Sequence, residues 1–161
     1  MTATPVLSPP PHIDAETAAD ADAVEALVLA AFGPGRFAKT AERLREGAAV
    51  AAGFVARDGG DVLGCVRLWS ITIGGAPALF LGPIAVAADY RRTGLGAELV
   101  QACLTWAVEK GQGVLLVGDA PYFGRFGFVA APDVRLPGPV DARRVLWRGE
   151  APPAGMVLPA I

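Results

Sequence analysis

Apolar positions along the chain follow two rhythms, and the change between them places the elements. In DADAVEALVLAAFG, residues 20–33, Val24, Leu27, Val28 and Ala31 recur at i, i+3, i+4 and i+7, which is one face of a helix. Asp20 is the expected N-cap and Gly33 the stop. A shorter helix is predicted over residues 40–46, ending near Gly47. The period then drops. GFVARDGGDVLGCVRLWSITIGGAPALFLGPIAV holds three strand-like runs, parted by Asp58-Gly59-Gly60-Asp61 and by Gly74-Gly75, both hairpin signals. They predict an antiparallel meander over residues 53–57, 62–73 and 77–86.

The helical rhythm returns over residues 95–110. Leu99, Val100, Cys103, Leu104 and Ala107 form its apolar stripe, Glu98, Gln101, Thr105 and Glu109 its wet face, and Gly111 ends it. VLLVG, residues 114–118, carries no polar side chain. Strand, helix and apolar strand in succession predict a right-handed parallel crossover that buries the second strand on both faces. Residues 119–128 are turn-rich. Short strands are expected near 12–16, 128–130 and 144–148, and the tail APPAGMVLPAI reads as irregular. Residues 1–11, rich in proline, are expected to form a disordered arm, with 12–161 a single mixed α/β domain.

Composition narrows the function. At 161 residues, one domain can bury about 68–70% of its unfolded surface. A net charge of −2 gives no basic excess for phosphate backbones, so no nucleic-acid partner is expected and any anion site must be local. The N-terminus lacks a secretory pattern, and the longest low-polarity stretch, residues 76–88, falls short of the ~20 residues that span a bilayer. A cytoplasmic protein with no membrane partner is expected. Cys65 and Cys103 read as reduced core residues, and with His12 the only histidine no metal site is expected.

The sharpest chemistry lies in DYRRTGLGAELV, residues 89–100. An uncharged strand leads into two arginines, two glycines and a helix. A helix start exposes unpaired N–H groups and the positive end of the dipole. Glycines there let a ligand reach the backbone. A phosphate or pyrophosphate fits against Gly94, Leu95, Gly96 and Ala97, with charge from Arg91 or Arg92. The alternative is a tight turn with two solvated arginines. The dinucleotide fingerprint lacks its third glycine here, and the P-loop pattern is absent.

Arg91-Arg92-Thr93-Gly94-Leu95-Gly96 fits R-x-x-G-x-G and resembles motif A of the GNAT superfamily of N-acetyltransferases. LGPIAVAADYR resembles that family's fourth strand. GDAPYFGRFGFVAA, residues 118–131, resembles the Tyr-Tyr/Phe-x-Arg-Phe-Gly-Phe segment of a bacterial subgroup of uncharacterised acetyltransferases. The order of elements agrees over roughly residues 12–130. The resemblance implies a central mixed, mostly antiparallel sheet, splayed between strands four and five and flanked by helices. It implies acetyl-CoA as co-substrate and a small-molecule or peptide amine as acceptor, with direct attack in a ternary complex. Ile84, Ala85 and Val86 would pair with the pantetheine arm, and Arg91, Arg92, Thr93, Gly94, Leu95, Gly96 and Ala97 would hold the pyrophosphate. Pro83, without an N–H, marks the bulge that opens the sheet.

Departures from the family pattern matter as much. Ala78-Leu79-Phe80-Leu81 carries no carboxylate where many members place a glutamate base. An ordinary amine is neutral only about once in 2,500 molecules at pH 7, so the proton must go somewhere. Glu16, Asp119 or a water relay are candidates, Asp119 being equally a turn former. The usual tyrosine acid corresponds to Phe123. Tyr122, one position earlier, is the candidate catalytic acid, with Phe123 lining the cofactor pocket and Arg125 reaching a phosphate or a local carboxylate. Arg36, Arg43, Arg45, Arg67 and Trp69 are candidates for an acceptor cleft. A non-catalytic acyl-CoA-binding module is the alternative, an unrelated α/β phosphate binder a third reading, and the chain is expected as monomer or homodimer.

Overall fold

The computed structural model describes residues 11–160, so the predicted N-terminal arm lies outside the described residues but for Pro11. In chain order the elements are β1 (His12–Ala15), α1 (Ala21–Phe32), α2 (Thr40–Glu46), β2 (Val50–Asp58), β3 (Asp61–Ile73), β4 (Ala76–Val86) and α3 (Leu95–Glu109). They continue with β5 (Val114–Val117), α4 (Ala120–Gly124), β6 (Val129–Ala130), β7 (Val134–Arg135), β8 (Val145–Arg148) and β9 (Gly155–Pro159). The sheet runs β1-β2-β3-β4-β5-β8-β6. β4 and β5 are parallel and their neighbours along this path antiparallel, as the crossover through α3 requires.

The two faces of the sheet are set by strand alternation. Val66, Leu68, Leu79 and Leu81 meet the α3 stripe of Leu99, Val100, Cys103, Leu104 and Ala107. Cys65 and Ala85 point the other way, against Val24 and Val28 of α1. Phe80, Leu115 and Trp147 fill the remaining part of that second face with Leu44 of α2. Burying one such leucine stabilises the fold by roughly 1.5–3 kcal/mol. Leu99 is 0% exposed and sits so close to β3 that a β-carbon on Gly64 would come within 3.0 Å of it.

Three local expectations change. The tail is not irregular: β9 pairs with the far end of β3, Ile71 opposite Pro159 and Ile73 opposite Val157, taking the place that β2 vacates after Val50 meets Trp69. The turn-rich segment contains α4, whose first N–H groups are capped by Asp119 through Tyr122 N at 3.1 Å. Asp20 precedes α1 but does not cap it with its side chain. Its carboxylate instead accepts from Thr17 N at 2.8 Å and from the two terminal Arg57 nitrogens, Nη1 and Nη2, at 2.7 Å each. Arg57 also reaches Asp14 at 3.0 Å, so β1, β2 and the entry to α1 share one ionic tie.

Candidate active site

The sheet opens where the sequence loses a backbone donor. β4 and β5 pair at Leu79 with Val114 and at Phe80 with Leu115, and no further. On the other side β4 stays paired with β3, but Leu68 faces Leu81 while Val66 faces Ile84. Arg67 therefore opposes both Gly82 and Pro83, a bulge that bends β4. Gly82 sits at φ 138, a value other residues avoid, and the Gly82-Pro83 peptide is cis. The Trp69 indole N–H donates to the Gly82 carbonyl and anchors the bulge.

Beyond the bulge, β4 has one free edge. Ala87 N donates to Leu63 O, and Cys65 faces Ala85 in the same register. By the alternation of an antiparallel ladder, Ala85 spends its backbone groups on β3, whereas Ile84 and Val86 present theirs to the open side. Of the three strand residues expected to pair with a coenzyme arm, two face the gap and Ala85 does not. The Val86 carbonyl is met there by Arg91 Nε at 3.4 Å.

The glycine loop lies at the end of the same edge. Gly94 is the N-cap of α3 at φ 91, and a β-carbon built on it would meet nothing within 4 Å. Arg92 takes φ 68, and Thr93 Oγ1 donates to the Tyr90 carbonyl, which folds the loop back on itself. Leu95 is buried and anchors the helix start, while Gly96 and Ala97 are half-buried beside it. A β-carbon on Gly96 would stand 4.0 Å from Val86 Cγ2 and 3.6 Å from the Tyr122 hydroxyl. Strand edge, helix start and Tyr122 thus converge at the first turn of α3, whose leading N–H groups lack helical partners.

Tyr122 and Phe123 diverge. Phe123 lines a cleft of about 370 Å³ in the splay, together with Leu81, Gly82, Ile84, Leu116 and Gly118. Tyr122 is not among its walls. Its ring stands edge-on to Phe123 at 4.9 Å and lies under the Arg125 guanidinium at 4.6 Å. Arg125 also donates to the Tyr122 carbonyl at 3.3 Å, so its partners are local.

A second cleft, about 210 Å³, opens between α1, α2 and β3. Of the five acceptor-cleft candidates, Arg36, Arg45, Arg67 and Trp69 line it together; Arg43 is exposed elsewhere and takes no part. Charge is matched inside it. Arg67 holds Glu16 through two bonds, at 3.0 and 2.9 Å, and this carboxylate pushes the Arg67 pKa up. Arg36 meets Glu25 at 3.1 Å. Arg45, whose pKa burial lowers, meets Glu42 at 3.1 Å. Burial pushes the Cys65 thiol up to about 11, so it lines this cleft as an inert thiol.

Glu42 is the site residue that sequence reasoning missed. It is 9% exposed and, with Arg36, Arg45 and Pro83, lines both clefts. The only local signal was its i,i+3 spacing to Arg45, which on a short helix reads as a solvated pair.

Known proteins converge on one family. A sequence profile of the acetyltransferase (GNAT) family matches residues 21–128. The uncharacterised N-acetyltransferase YhbS of Escherichia coli K12 is 34% identical over 123 residues, 74% of each chain. The crystal structure of E. coli YhbS, a complex with CoA, superposes with a TM-score of 0.81 at 29% identity, covering 99% of this chain and 94% of that one. A GNAT family acetyltransferase from Brucella melitensis, a complex with acetyl-CoA, gives 0.72 at 27% identity over 92% and 94%. With the splayed parallel pair and the helix-start loop in place, the chain belongs to the acetyltransferase (GNAT) family.

Proposed function

We propose that this protein transfers the acetyl group of acetyl-CoA to an amine by direct attack in a ternary complex. One observation carries the reading: the free edge of β4 at Ile84 and Val86 runs straight into the open helix start at Gly94 and Gly96. The pantetheine arm would add to that edge as an extra strand. Gly94, Leu95, Gly96 and Ala97 would hold the diphosphate, supported by Thr93, Arg91 and Arg92. Arg91 would exchange the Val86 carbonyl for phosphate, and Arg125 would brace Tyr122. The thioester would then lie in the splay beside Phe123 and Pro83, facing the acceptor cleft.

Tyr122, with its hydroxyl beside Gly96, belongs with the coenzyme contacts in this reading. A thiol leaves tolerably as thiolate, so no tyrosine acid is needed at Phe123. The acceptor is a small-molecule or peptide amine, and the protein works in the cytoplasm. The reading as a non-catalytic acyl-CoA binder rests on the uncharged Ala78-Leu79-Phe80-Leu81 run and on Phe123.

Thermal melting with acetyl-CoA, longer acyl-CoAs and ATP tests the site. A ligand at 100 times its Kd adds about 2.7 kcal/mol. Protection by acetyl-CoA but not ATP is expected; equal protection by ATP overturns the coenzyme assignment. Thiol release from acetyl-CoA across an amine panel then separates enzyme from binder.

A further inference from the structure

Resting on that amine-acetylation reading, we infer that Glu42 is the proton acceptor of the transfer, supplying from α2 the carboxylate that β4 lacks. The placement is specific. The two clefts share Arg36, Glu42, Arg45 and Pro83 in their walls, so a thioester in one and an amine in the other would meet beside Glu42. Both of its bonds to Arg45, from Nε at 3.4 Å and Nη2 at 3.1 Å, go to Oε2. Among the described residues Oε1 has no hydrogen-bond partner. Arg45 is itself held, its guanidinium over the Phe80 ring at 5.8 Å and against Gly82, so Oε2 is tied to a packed partner.

The other acids fit worse. Glu16 has both oxygens on Arg67. Glu25 is paired with Arg36 and its side chain is 59% exposed. Glu46 lines only the acceptor cleft. Asp119 stands on the opposite wall, exposed, and caps α4.

The step balances. The acceptor ammonium gives one proton to Glu42 Oε1, and the freed nitrogen lone pair forms the C–N bond to the acetyl carbon. The C–S bond breaks with its electron pair on sulfur. A second nitrogen proton, lost as the amide forms, neutralises the thiolate, the third stays on the amide of a primary amine, and Glu42 returns its proton to solvent. Ammonium and acetyl-CoA become amide, CoA thiol and one proton.

The test compares two nucleophiles on Glu42→Gln: the alkylamine that wild type acetylates fastest, and methoxyamine, which is already unprotonated at neutral pH. A lost proton acceptor lowers kcat/KM for the alkylamine by about 100-fold or more and for methoxyamine by only a few-fold. Glu42→Asp restores part of the alkylamine rate. Since Glu42→Gln leaves Arg45 buried without its partner, the pair Glu42→Gln with Arg45→Met removes both charges together and should show the same selectivity. Melting with acetyl-CoA reports fold and coenzyme site in each variant. Equal losses for both nucleophiles, or none, with protection by acetyl-CoA intact, overturn the role of Glu42. No turnover of any amine by the wild type overturns the parent reading and Glu42 with it.

Discussion

The Phe123 ring lies against Gly118 so closely that a β-carbon there would come within 2.5 Å of it. Gly118 directly follows β5, which forms one wall of the splay, so the glycine is what lets an aromatic ring line the cleft. Its backbone is ordinary, and the requirement is space. Gly118→Ala is expected to cost about 1–3 kcal/mol through overpacking and to weaken acetyl-CoA binding by displacing the ring. Calorimetric titration checks this, and an unchanged Kd with unchanged melting would remove Phe123 from the wall.

Gly96→Glu separates fold from binding. A carboxylate in the first turn of a helix is favourable to the dipole, and the new β-carbon meets only ordinary contacts, so stability should hold. The same charge repels a diphosphate. Protection by acetyl-CoA in thermal melting should vanish while the unliganded melting temperature stays near wild type.

Tyr122→Phe discriminates two roles for one hydroxyl. With the hydroxyl as the proposed coenzyme contact beside Gly96, its loss is expected to weaken acetyl-CoA binding by about 3- to 10-fold, the scale of one hydrogen bond. Turnover at saturating acetyl-CoA should change little. A kcat loss of about 100-fold with unchanged affinity would return the hydroxyl to the reacting sulfur.

The Asp20–Arg57 tie gives a pH dependence. Hydrogen bonds from the Arg57 guanidinium, then from Thr17 N–H, hold the Asp20 pKa far below its ordinary 3.8. The unfolded chain therefore takes up this proton first, and the stabilisation is complete above pH 3.8 and declines as pH falls below it. Asp20→Asn should lower the urea midpoint at pH 7 and lose less than wild type on going to pH 3. Parallel losses in both proteins would show that the tie contributes nothing to acid sensitivity.

Leu99 tests the core on the α3 face. Fully buried against β3, it should cost about 2–5 kcal/mol as Leu99→Ala, read from denaturant unfolding. A loss under about 1 kcal/mol would mean that the helix repacks freely onto the sheet.

Much of this protein was written locally. The i, i+3, i+4 stripes set both long helices against the sheet, and Gly33 and Gly111 ended them at positive φ, because periodicity and backbone sterics act within a few residues. The meander, the crossover and the exposed start of α3 followed from the same short-range rules. Tertiary structure decided the rest. β9 found its place only because β2 leaves β3 early, a vacancy no local pattern records. Asp20 was drawn from its helix to Arg57, 37 residues away, because a guanidinium offers a carboxylate more than a cap does. Tyr122 and Phe123, adjacent in sequence, were sent to the helix start and to the splay by the direction in which α4 leaves Asp119. Glu42 became a candidate only when folding closed two clefts around it, for burial is a property of the surroundings and not of the residue.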